Sequence, residues 1–225
     1  MARMSLDSFA QEMTKALGPR LVSLLLYGSA ARDGSVGGGG ADASNMNTLL
    51  IVDGVERDLF APLAAPVRQW VGAGHPPPII LTQHEWRDSA DAFPIEYDDI
   101  REGHRVLAGR DPWHGIRVDR NAVRRQLEHE LMGKLVHLRQ VYAAEWGKPK
   151  RLAEVVRGTR PGFLTMLRAV LRLAGRPAPA TPEVLVRDAA ALIGFSTDGL
   201  TDPLAYLDAM TRTADYVNRL ERNPS

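Results

Sequence analysis

Apolar residues come in short unbroken runs along the first half of the chain and recur at every third or fourth position along the second. The runs at 21–27 (LVSLLLY) and 48–52 (TLLIV) are too short and too continuously apolar for surface helices, and they predict buried strands. A third strand is expected at Ile79 to Thr82, reached through a crossover helix over 56–71 and a turn over 72–78. Ahead of the first strand, Leu6, Phe9, Met13, Ala16 and Leu17 share one side of a helix from Met4 to Leu17. Ser5 or Asp7 is placed to cap it, and Gly18-Pro19 to end it. A short polar helix near 83–89 follows. Next come the segment FPIEYDDI (93–100), which can supply a neighbouring strand, and an edge strand at His104 to Leu107.

From Asp119 onward the pattern is helical only. Leu127, Leu131, Leu135, Leu138 and Tyr142 mark one face of a helix over 119–146. Further helices are expected at about 150–157, 161–174, 182–193 and 203–220, with proline opening three of them and Gly/Pro connectors between. The expected fold class is α+β. An N-terminal α/β sheet domain with flanking helices covers 1–115, and an all-α helical bundle covers 116–225.

Composition narrows the chemistry. The absence of cysteine excludes disulfides, thiolate metal sites and cysteine nucleophiles, and nothing points to an oxidising compartment, so a cytoplasmic protein is expected. No apolar stretch approaches the roughly 20 residues of a membrane span. The net charge of +1 hides an asymmetry: residues 1–118 carry 11 Lys+Arg against 15 Asp+Glu, and 119–225 carry 17 against 12. Gly-x-Ser-x-Gly, His-Glu-x-x-His and P-loop patterns do not occur, which removes the common hydrolase, zinc and ATPase readings.

The informative stretch is the first strand with Gly28-Ser29 at its end and Arg32 just beyond. A Gly-rich loop follows, then Ser44-Asn45-Met46-Asn47 opening the second strand. A strand that ends in Gly-Ser and turns into a short helix offers backbone N–H groups and a hydroxyl to a phosphate.

This arrangement resembles the signature of the polymerase-β-like nucleotidyltransferase superfamily: apolar strand, Gly-Ser, loop, Ser-Asp-x-Asp, apolar strand, and a third carboxylate on a later strand. The match covers residues 20–53 well and the region to Pro112 loosely. In active members the three carboxylates hold two Mg²⁺ ions that align a triphosphate with the attacking hydroxyl. By this resemblance Gly28, Ser29, Arg32, Ser44, Asn45 and Asn47 are the nucleotide-binding residues.

The resemblance also implies a loss. Asn45 and Asn47 offer neutral amides where the paired aspartates belong, and the third strand carries no carboxylate, so no metal ligand set is expected. The favoured expectation is a catalytically degenerate homologue that binds a nucleotide or phosphorylated ligand in a cleft between its domains, a role that suits a regulatory subunit. One alternative is an active Mg²⁺-dependent nucleotidyltransferase acting on a small molecule, protein or RNA, with Asp42, Glu96, Asp98 or Asp99 as displaced ligands. Another is an antitoxin-like or structural partner that works through its helical half. A homodimer and a partner protein are both compatible with the apolar helices.

Weaker patterns accompany these. Arg168, Arg172 and Arg176 repeat on one helix face, but no aromatic residues interleave with them, so nucleic acid is disfavoured as a partner. Arg124 and His129 are spaced as in the Arg-x4-His pattern of HEPN ribonucleases, although a helix rich in Arg, Glu and His yields that spacing by chance.

Overall fold

The computed structural model describes residues 4–32 and 46–220. The chain divides into two compact units. One runs to Ala92 and includes Ile100–Arg117, and the other comprises Phe93–Asp99 and everything from Val118.

The first unit is a four-stranded mixed sheet with helices. Helix α1 (Leu6–Leu17) is capped by Ser5, whose hydroxyl accepts from the Ser8 N–H at 3.1 Å, and it buries Leu6, Phe9, Met13 and Leu17. Strand β1 (Leu21–Tyr27) leads through the short helix α2 (Ser29–Arg32), and β2 (Asn47–Val52) pairs antiparallel with β1, Tyr27 opposite Asn47 and Leu25 opposite Leu49. Helix α3 (Phe60–Gly72) is the crossover to β3 (Ile79–Thr82), which runs parallel to β2. Helix α4 (Gln83–Asp88) starts in a capping box: Thr82 Oγ1 accepts from the Glu85 N–H, and Glu85 Oε2 accepts from the Thr82 N–H at 2.7 Å. The last strand, β4 (His104–Gly109), lies antiparallel along the other side of β1, giving the order β3-β2-β1-β4.

The unbroken apolar runs follow from burial at both parities of the inner strands. Leu24, Leu26, Leu50 and Val52 pack with α1 and α3, where Phe9 stacks on Trp70 at 4.4 Å between ring centres. Leu25, Leu49 and Ile51 point the other way and are buried as well.

FPIEYDDI is a helix, not a strand. Helix α5 (Pro94–Glu102) has proline at its first position, where no N–H is needed, and Ile95 joins the apolar core of the second unit. The boundary between the units falls inside this helix, after Asp99.

The second unit is a helical bundle of α6 (Arg120–Glu145), α7 (Pro149–Leu173), α8 (Pro182–Ile193) and α9 (Pro203–Arg219). Asp119 caps α6 through Asn121 and Ala122, and Asp202 caps α9 through Leu204 and Ala205. The two helices expected on either side of residue 160 are a single helix, α7, with Pro161 inside it. The proline removes one backbone hydrogen bond. It sits on the exposed side, while Leu152, Val156, Phe163, Met166 and Val170 form an apolar stripe that runs past it. Burial of that stripe outweighs the lost bond. Among the described residues no helix is long and apolar enough to cross a membrane.

Candidate functional site

Four of the residues singled out in the sequence meet at one end of the sheet. Gly28 leaves β1 with φ +84°, a left-handed conformation that glycine adopts without steric cost. That twist ends the strand, and the Gly28 carbonyl accepts from the N–H groups of Ala31 and Arg32, each at 3.2 Å, which closes α2. Ser29 is exposed at the mouth of the turn.

Asn47 stands against this glycine because Tyr27 and Asn47 are paired in the β1–β2 register. A β-carbon on Gly28 would lie 3.3 Å from the Asn47 amide nitrogen, closer than an ordinary van der Waals contact. The start of β2 is itself held: the Met46 N–H reaches Nδ1 of His75 at 3.5 Å, and the buried His75 ring lies 3.9 Å from Trp70.

Arg32 lies over the chain just before β4. A β-carbon on Gly103 would come within 2.6 Å of Arg32 Cγ and 3.0 Å of Nη1, so the arginine side chain occupies the space that Gly103 leaves open. Gly103 also accepts from the Gly28 N–H at 3.3 Å. It belongs to the site although the sequence pattern did not single it out. Its only local signal is a glycine just ahead of a strand.

Next to Gly103, His104 has both ring nitrogens engaged. Indole N–H groups only donate, so Nε2 accepts from Trp113 at 3.2 Å, which leaves Nδ1 to donate to the Ile100 carbonyl at 3.0 Å. Arg101 lies over the Trp113 ring at 5.0 Å and donates to the Ile116 carbonyl at 2.7 Å. The imidazole is thus a structural post of the sheet unit.

Asp42, Ser44 and Asn45 lie outside the described residues. Glu96 and Asp98 lie on α5 and have partners within the helical unit. Glu96 accepts from Gln126 Nε2 at 2.9 Å, and the other end of that amide accepts from the Ile95 N–H. Arg172 spans Asp98 at 3.3 Å and Asp99 at 3.0 Å, with all three side chains at most 22% exposed. The arginine repeat is not one helix face: on α7 Arg168 is buried and Arg172 is held by two carboxylates, while Arg176 lies beyond the end of the helix and is exposed. Arg124 pairs with Glu128 at 3.0 Å.

Neither β3 nor β4 contains an aspartate or glutamate, and among the described residues no three His, Asp or Glu side chains are grouped to hold a metal ion. The singled-out residues described at the sheet end are neutral or positive: the Asn47 amide, the Ser29 hydroxyl and the Arg32 guanidinium. Amide and guanidinium N–H groups donate to phosphate oxygens, and none of these groups supplies the negative charge that strips water from Mg²⁺. No protein-family model matches the chain, and no curated protein matches it.

Proposed function

We propose that the sheet unit is a degenerate nucleotidyltransferase-like domain that binds a nucleotide or another phosphorylated ligand at the Gly28–Asn47 end and does not transfer it. The observation that carries this reading is the Asn47 side chain. A neutral amide stands beside the Gly28 turn, at the place where the resemblance calls for a metal-holding carboxylate. Arg32, in the same corner, supplies positive charge for a phosphate, and Ser29 a hydroxyl donor.

Among the described residues the candidate displaced carboxylates already have partners. Asp98 and Glu96 are engaged by Arg172 and Gln126, and freeing Asp98 for a metal would leave Arg172 short of a partner in a largely buried setting. The test is equilibrium dialysis against each labelled ribonucleoside triphosphate, followed by assay for label transferred to the protein itself or to added RNA in Mg²⁺. Retained nucleotide without transfer supports the reading; transferred label overturns it.

A further inference from the structure

The opposite end of the same sheet carries a pocket. Where Gly28 and Asn47 mark one end of β1 and β2, Val22 and Ile51 mark the other, and with Trp86 and Pro112 they floor a hollow of about 200 Å³. Gly109 builds it. Its φ is +78°, and a β-carbon there would collide with the Val22 carbonyl oxygen, so only glycine lets the chain leave β4 this close to β1. The turn delivers the Arg110 N–H to that carbonyl at 3.0 Å and carries 111–114 across the end of the sheet. Trp86 is fixed from two sides: its indole N–H donates to the Pro112 carbonyl at 3.1 Å, and its ring meets Trp113 edge-on at 5.0 Å.

The rim is charged. Arg87 and Arg110 both line the hollow, and neither has an ion-pair partner among the described residues. The one carboxylate among the described lining residues, Asp111, accepts from the Trp113 N–H at 3.0 Å. Two guanidinium groups against one carboxylate give the arginines and Asp111 together a single positive charge, with His114 beside them, above a floor whose accessible apolar part is the half-buried Val22 and Pro112; Trp86 and Ile51 lie directly beneath it.

From this geometry we infer that the hollow binds a small organic monoanion, with its apolar body on Val22 and Pro112, above the buried Trp86, and its carboxylate between Arg87 and Arg110. Guanidinium groups favour carboxylates because their paired N–H donors match the two oxygens. The net charge matches a single negative charge, and the volume admits a ring or short branched chain but not a nucleotide. The site does not depend on the nucleotide reading, because it shares no residue with the Gly28 end.

The test uses benzoate as the probe, benzamide as its uncharged counterpart and inorganic phosphate as an anion without an apolar body. The indole N–H resonances of the full chain are followed by NMR. Benzoate is expected to shift the Trp86 resonance saturably, with a dissociation constant on the order of 1 mM or tighter. Benzamide, phosphate and the Arg87→Gln/Arg110→Gln variant with benzoate should each bind about tenfold more weakly or worse. Both arginines are exposed, so the variant keeps the fold. An unsaturating response to benzoate overturns the inference, as does equal binding of benzoate by the double variant, equal binding of benzamide, or phosphate binding as tight as benzoate.

Discussion

Asn47 stands against Gly28 across the β1–β2 pair, its amide nitrogen 3.3 Å from the position a β-carbon would take. The backbone and the Asn47 amide together hold position 28 to glycine. A side chain at 28 would push into the amide and would also have to adopt a left-handed backbone. Gly28→Ala is therefore expected to cost about 1–2 kcal/mol from backbone strain alone, and more from the contact. Gly194 also has positive φ, +91° in the left-handed region, but meets nothing within 4 Å of its hypothetical β-carbon. Denaturant midpoints should show Gly28→Ala as the more damaging of the two.

Arg172 is held by Asp98 and Asp99 in the middle of α5. Replacing it with methionine leaves two mostly buried carboxylates without their shared cation, and a loss of about 3 kcal/mol in unfolding free energy is expected. Nucleotide retention should be unchanged in this variant at temperatures where it stays folded. A parallel loss of nucleotide binding would mean that α5 takes part in the site.

Tyr142 sets an alkaline limit. Burial first, then the neighbouring Tyr206 and Asp202, push its hydroxyl up to about 12, and it donates to the Pro203 carbonyl at 2.8 Å. The folded state therefore holds this proton above the ordinary tyrosine value of 10, while the unfolded state releases it. Its contribution is complete below pH 10 and is lost as pH rises toward 12. Stability should fall across that window, and Tyr142→Phe should flatten the fall while removing the hydrogen bond at lower pH. Ultraviolet titration of tyrosinate against melting temperature checks both.

Helix α4 begins on a capping box, and the Thr82 backbone and side-chain hydrogen bonds hold the Glu85 carboxyl below its ordinary value. Thr82→Ala should cost about 1 kcal/mol, read from a denaturation curve.

Much of this architecture was legible because local rules and tertiary packing agree. Leu24 to Leu26 and Leu49 to Val52 are apolar at successive positions, and both faces of those strands are buried. Pro182 and Pro203 open helices as their fixed φ requires. The same rule failed at Pro161, where a buried stripe on the other side of α7 carries the helix through. FPIEYDDI failed for a different reason. Its carboxylates are partnered by Gln126 and Arg172, far along the chain, and no local pattern announces such pairings. At the sheet end, Gly28 and Asn47 could be read from the spacing of the motif. Gly103 could not, because what demands a glycine there is the Arg32 side chain crossing it.

Phosphate binding at the Gly28–Asn47 end, as proposed, needs no metal. Calorimetric titration of the full chain with each of the four ribonucleoside triphosphates, in Mg²⁺ and again in a chelator, is the decisive test. Saturable binding of at least one triphosphate is expected, with an affinity unchanged by removal of Mg²⁺. Binding that disappears with the metal, or no binding of any triphosphate under either condition, would overturn the proposal.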